Sequence, residues 1–187
     1  MPQLLKWAIG GTLIAASIAL TIATGGAAAG TIAAAVHTVA TGAMIGSIAS
    51  AAIGTVASGI TYDGEKFGWD WDNAATGFML GSITGTISGA IGGALDVGGI
   101  AAESWLARGI MAGTDSVLGL GSYFAQNAIN HTMDNVSFMG AAISFAGGLF
   151  SLGTPTYKVF DAIWGPTMAS EIAWVYDTIR VRIKNRR

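Results

Sequence analysis

The chain has 187 residues, a net charge of −2 and 11% charged side chains, where about 25% is usual in soluble globular proteins. That length allows one domain or several membrane-spanning helices and argues against two ordinary domains. With no cysteine, disulfides, thiolate chemistry and Cys-based metal sites are excluded, and the apolar content is carried by Ala, Gly and Ile beside many Ser and Thr, a composition that favours close backbone approach over bulky packing.

From Trp7 to Tyr62 no residue is charged. A run of 56 positions far exceeds the roughly 20 that one helix needs to cross a bilayer. The Gly25-Gly26 pair is the natural break, which predicts helices near residues 4–23 and 28–60. Residues 62–72 are a polar island in which Asp63, Glu65, Asp70 and Asp72 alternate with Phe67, Trp69 and Trp71. Trp and Tyr settle at headgroup depth, so Trp69, Asp70, Trp71 and Asp72 are expected on a loop at the membrane interface.

A second uncharged run, residues 73–95, is of spanning length, and so is a third, residues 135–157. The stretch between them, with Asp96, Glu103, Arg108 and Asp115, reads as an amphipathic helix followed by a shorter apolar piece over residues 116–133. Thr154-Pro155 and Gly165-Pro166 punctuate the end, and Pro166 suits the first position of a last helix. There Met168, Ile172, Val175, Ile179 and Ile183 recur at helical spacing. Residues 1–135 hold three basic against eight acidic side chains and residues 136–187 six against three, so the basic tail Lys184-Asn185-Arg186-Arg187 either meets anionic headgroups or is a solvated helix end.

The strongest pattern is a small residue at every fourth position. Gly77, Gly81, Gly85, Gly89 and Gly93 form one series; Gly30, Ala34, Thr38, Gly42, Gly46, Ser50, Gly54 and Ser58 form another before the polar island. Residues four apart on a helix lie nearly above one another, so each series is a groove along which a second backbone can come close. An unpacked glycine inside a helix costs roughly 0.8–1.0 kcal/mol relative to Ala. The expected structure is therefore a hairpin in which residues 28–60 and 74–95 face each other across residues 61–73, inside a membrane or, alternatively, inside a soluble Gly-rich core.

The expected fold class is all-α: Gly/Ala-rich, membrane-inserting helical hairpins with an amphipathic C-terminal helix. Residues 1–95 make the glycine-zipper region and residues 96–187 the amphipathic and apolar helices with the basic tail, both parts of one functional unit.

Chemical motifs are sparse. His37 lies within the first small-residue series and reads as helix packing; His131 with Asp134 has the spacing of a local acid/base pair but no nucleophile beside it. Asp70 and Asp72 lack the further oxygen ligands of a Ca²⁺ loop, and Gly92-Gly93 and Gly98-Gly99 lack the Lys-Ser/Thr of a phosphate loop. No catalytic, cofactor or metal residues are expected, and the acidic balance argues against nucleic acid as a partner.

The run KWAIGGTLIAASIALTIAT at residues 6–24, the aromatic-acidic island, and WDNAATGFMLGSITGTISGAIGGAL at residues 71–95 together resemble the hydrophobic region that follows the repeat shell in bacterial Rhs/YD-repeat polymorphic toxins. The likeness covers about half of the chain. The family's Asp-Pro-x-Gly cleavage signature is missing, as expected of a fragment that begins just after it. The resemblance implies a C-terminal toxin released from an encapsulating shell, delivered as a secreted effector and paired with an immunity protein. Since residues after Leu95 show no catalytic constellation, the expected activity is that of a pore-forming or depolarising toxin at the target cell membrane. It would act with the lipid bilayer and further copies of itself, and Ser82, Thr84, Thr86 and Ser88 would supply polar lining. Two rivals are a delivery or anchoring segment whose activity lies elsewhere, and a small holin-like integral membrane protein. The N-terminal run also imitates a secretory signal, without a clear small-x-small site before a polar region.

Overall fold

The computed structural model describes residues 1–62, 65–101, 104–149 and 166–185. Among the described residues the protein is all-helical apart from one short hairpin. Its helices are α1 (Gln3–Thr24), α2 (Ile32–Gly59), α3 (Trp71–Val97), α4 (Trp105–Ile129), α5 (Phe138–Leu149) and α6 (Pro166–Asn185). Strands β1 (Ile60–Tyr62) and β2 (Phe67–Trp69) join α2 to α3, and a 3-10 turn, Met133–Asn135, precedes α5.

Capping side chains set several of these boundaries. Thr31 accepts a hydrogen bond from the Ala34 amide at 3.2 Å and starts α2, while Gly26 and Gly30, both at φ 80°, turn the chain between α1 and α2. The α2 helix therefore begins a few residues later than the Gly25-Gly26 break alone suggests. Asp70 starts α3 by accepting from the amides of Asp72 at 2.8 Å and Asn73 at 3.0 Å, and Ser104 caps α4 through the Ala107 amide at 3.1 Å.

Two sequence expectations are corrected. The connection at residues 61–73 is not a plain loop: Ile60, Thr61 and Tyr62 pair antiparallel with Trp69, Gly68 and Phe67, and Trp71 and Asp72 already belong to the first turn of α3. Asp96 lies at the end of α3, and what reads as an amphipathic helix followed by a separate apolar piece is the single helix α4. Of the run at residues 135–157, the described part holds α5, with 12 residues and a length of about 18 Å. The rest of that run beyond Leu149 lies outside the described residues, as do Asp63, Gly64, Glu103, Thr154, Pro155, Gly165 and Arg186-Arg187.

Helices α1, α2 and α3 are each long and apolar enough to cross a membrane. Helices α2 and α3 lie antiparallel along most of their length, α1 packs on one side of the pair, and α4, α5 and α6 form a second group on the other side. Much of the core between them is small or polar, with Ala40, Ala51, Ala74, Ala75, Ser47, Ser50, Ser82 and Thr84 all buried, and Met79, Leu80, Met111, Tyr123 and Trp174 are large side chains inside it. Large apolar side chains point outward on every helix, among them Leu4, Ile22, Ile32, Val56, Ile87, Ile110, Val117, Phe124, Phe138, Phe145, Ile172 and Ile179. This reverses the usual sorting of a water-soluble protein.

Candidate functional site

The two glycine series meet each other. A Cβ added at Gly85 would fall on the carbonyl oxygen of Gly46, one at Gly89 on that of Gly42, one at Gly81 on that of Ser50 and one at Gly77 on that of Gly54. Gly93 closes the series against Thr38, where a Cβ would stand 2.8 Å from the carbonyl oxygen. Each step of four along one helix is thus matched by a step of four back along the other, and the backbones touch where no side chain intervenes. Both grooves are occupied within one chain, so neither is open to a second copy while the hairpin stays closed.

Helix α1 is attached more lightly. The Lys6 ammonium is fully buried and donates to the Asp72 carboxylate at 2.7 Å, tying the start of α1 to the start of α3. Four residues on, Gly10 lets the Phe78 ring lie against the α1 backbone, with Trp7 packed at a tilt against that ring at a centroid distance of 4.7 Å. Near the other end of α1, His37 Nδ1 on α2 sits 3.1 Å from the Thr21 carbonyl oxygen and 3.3 Å from Thr24 Oγ1. His37 is therefore a helix-packing side chain. His131 is in the turn that ends α4, at φ 56°, and Asp134 follows in the 3-10 turn.

On the opposite side of the hairpin a polar seam joins it to α4 and α6. Ser88 donates to Asp115 at 2.7 Å, and one turn along α3 the hydroxyls of Thr84 and Thr167 are 3.0 Å apart. Next to them Ser58, in the last turn of α2, donates to Glu171 at 2.6 Å while Gln126 donates to the other Glu171 oxygen at 3.1 Å. Finally Asp177 accepts from the Tyr123 hydroxyl, from the Ser137 hydroxyl and from the Ser137 amide at 3.2 Å. Glu171 and Tyr123 lie outside the three helices of spanning length. Burial removes the Glu171 carboxylate from water and pushes its pKa up to about 7, against the opposing pull of the Ser58 and Gln126 hydrogen bonds. Burial, and next the hydrogen bond to Asp177, push Tyr123 up to about 12.

The four polar residues expected to line one path are split. Thr84 and Ser88 face the seam, whereas the Ser82 hydroxyl lies beside Gly10 and Thr86 lines an apolar groove with Leu13, Ala16 and Val39. Residues two apart on a helix are rotated by about 200°, so Ser82 and Thr86 share one face of α3 and Thr84 and Ser88 the opposite one. At the hairpin tip, Trp69 and Trp71 pack edge to face at 5.6 Å and both stay exposed; the Trp69 ring covers Gly59. Asp70 and Asp72 are a helix cap and an ion-pair partner and do not form a shared carboxylate site.

Two features went unread in the sequence. Gly140, Ser144 and Gly148 repeat the four-residue spacing in α5 and press it against α4: Ser144 donates to the Gly119 carbonyl at 3.3 Å, and a Cβ at Gly148 would strike the Ser116 backbone. The signal was present, in a run too short to stand out. The seam acids Glu171 and Asp177 were also legible, on a helical stripe with Thr167, Ser170 and Trp174.

Comparison of the chain with protein families, with characterised proteins and with solved structures gives no match. Fold and site define a class: an all-helical protein with, among the described residues, three helices of membrane-spanning length, two of them locked through glycines, and a buried polar seam.

Proposed function

We propose that this chain is a membrane-inserting toxin that depolarises the target cell by letting ions cross its bilayer. The observation that carries the reading is the sorting of side chains: large apolar groups are exposed on each of the described helices, while the glycines of the α2–α3 contact, many hydroxyls and the carboxylates of Asp115, Glu171 and Asp177 are turned inward. In water that surface is costly at roughly 25 cal/mol per Å² of exposed apolar area, and in a bilayer it is favoured. The likeness of residues 6–95 to the hydrophobic region of Rhs polymorphic toxins supplies the rest of the proposal, an effector released from an encapsulating shell and neutralised by an immunity protein. Conduction by more than one copy would need surfaces other than the glycine grooves, which the hairpin itself fills.

The test is potassium release from vesicles holding a potassium gradient and a large dye, with purified chain added at neutral and mildly acidic pH. Potassium loss with dye retained is the expected result, and Gly85→Leu with Gly89→Leu should abolish it by prising the hairpin apart. Unchanged conductance in that variant would remove the hairpin from the mechanism. A second reading, a hydrophobic anchor or delivery segment, is favoured by the absence of any gap between α2 and α3 wide enough for a methyl group at the glycine contacts. Membrane binding without potassium loss would select it.

A further inference from the structure

We propose that the outer face of α6 docks on the surface of an anionic bilayer; this rests on the membrane-active reading above and names the lipid chemistry it needs. In sequence, α6 carries two acids and three bases, Glu171 and Asp177 against Arg180, Arg182 and Lys184. Folding sorts them. Both acids turn inward, Glu171 to Ser58 and Gln126 and Asp177 to Tyr123 and Ser137, while the three cations stay outside. Arg180 reaches back to 3.7 Å from Asp177 yet remains half exposed, and Arg182 and Lys184 are exposed.

Ala169, Ala173 and Trp174 are buried on α6, but its isoleucines, its valines and Tyr176 are not. Thr167, Ser170, Glu171 and Asp177 are buried, whereas Ile172, Val175, Tyr176, Ile179 and Ile183 are exposed, Ile183 by 54%. The outward face of α6 therefore combines aliphatic groups with cations and, among the described residues, no acid. A surface of that kind complements the acyl boundary and negative headgroups of a bilayer.

Position supports the same partner. The Thr84–Thr167 contact sets the start of α6 beside the middle of α3, and the Ser58–Glu171 contact carries it to the end of α2. Arg180 then donates to the Asn135 carbonyl at 3.4 Å, close to where Thr76, near the start of α3, donates to Asn130 at 3.2 Å. The basic end of α6 thus emerges at the same end of the molecule as exposed Tyr62, Phe67, Trp69 and Trp71. Aromatic rims of this kind mark headgroup depth. Among the described acids there, Asp70 caps α3 and Asp72 holds Lys6, while Asp134, beside Asn135, is exposed.

Because the chain has no cysteine, Ile179→Cys gives a single attachment point for an environment-sensitive fluorophore on this face. The full labelled chain is titrated with phosphatidylcholine vesicles and with vesicles containing phosphatidylglycerol. A blue shift that requires phosphatidylglycerol and fades with salt is expected. Adding Arg182→Gln and Lys184→Gln should raise the lipid concentration needed by roughly thirtyfold, at about 1 kcal/mol per cation near the surface; both side chains are exposed, and circular dichroism checks that helix content is kept. An equal shift on uncharged vesicles, no shift on anionic ones, or a shift governed by protein concentration and not by lipid would each overturn the proposal, the last by making this face a contact between copies. Potassium retention with the shift intact would sink the depolarising reading alone; potassium release without the shift would sink only the docking of α6.

Discussion

At Gly85 the α3 backbone touches the Gly46 carbonyl of α2, and even a methyl group would have to displace backbone on one side or the other. At Gly92, in the same helix and one residue from the same groove, nothing lies within 4 Å of an added Cβ. The pair separates intrinsic helix propensity from close packing. Gly92→Ala should gain about 0.8–1.0 kcal/mol, the usual advantage of alanine over glycine inside a helix. Gly85→Ala should lose about 1–3 kcal/mol, because overpacking outweighs that gain. Thermal unfolding followed by circular dichroism in detergent gives both values, and a shift of the same sign in the two variants would show that the glycine contact does not govern the hairpin. The direction of this contrast is hidden in the sequence, where Gly92 and Gly93 are neighbours. Only the four-residue period singles out Gly93 as the packed one.

Among the elements, α1 is the span with the least support from its neighbours: few of its residues are buried, and Lys6, Gly10 and Ser17 are those that are. Its Lys6–Asp72 pair is asymmetric, with the ammonium shielded and the carboxylate side chain 56% exposed. Asp72→Asn leaves a buried cation with a neutral acceptor, whereas Lys6→Met removes the charge that needs a partner. Amide hydrogen exchange should therefore show α1 opening on the order of tenfold faster in Asp72→Asn, with a smaller change in Lys6→Met and protected α2 and α3 amides in both. Unaltered α1 exchange in Asp72→Asn would mean that Gly10 and its ring contacts hold the helix without the ion pair. At this scale the sequence was readable wherever one repeated spacing spoke alone, as in α2 and α3. It was less so where short-range chemistry intervened: the three-residue strands β1 and β2 are too short to show alternation, and the charges at Arg108 and Asp115 mask the continuity of α4. In α6 the periodic isoleucines are easily read, but periodicity does not say which face is covered, and here the covered face is the one with the acids.

Across the whole molecule, the glycine hairpin and the C-terminal helices meet through hydroxyls and carboxylates, and Glu171 joins α2, α4 and α6 at one point. Its pKa, pushed up to about 7 from an ordinary value of 4.5, links the assembly to pH. Below about pH 4.5 the carboxyl is protonated whether the chain is folded or not, and it adds no pH dependence. Between about 4.5 and 7 the unfolded chain releases this proton while the folded one keeps it, so stability falls as pH rises, and the loss is complete above about 7. The full difference is about 3 kcal/mol. Glu171→Gln, which cannot ionise, should be nearly level across this window while the wild type declines. Since His37 and His131 are present in both chains, the difference between the two stability curves isolates Glu171. A variant that kept the wild-type slope would assign the pH dependence elsewhere. The sign also bears on insertion. Acid tightens this seam, so a trigger that freed the hairpin by acidification would have to work through another group. Neutral pH is where the C-terminal helices are held least firmly, and if their movement limits entry into the bilayer, Glu171→Gln should slow potassium release most at neutral pH and least in mild acid.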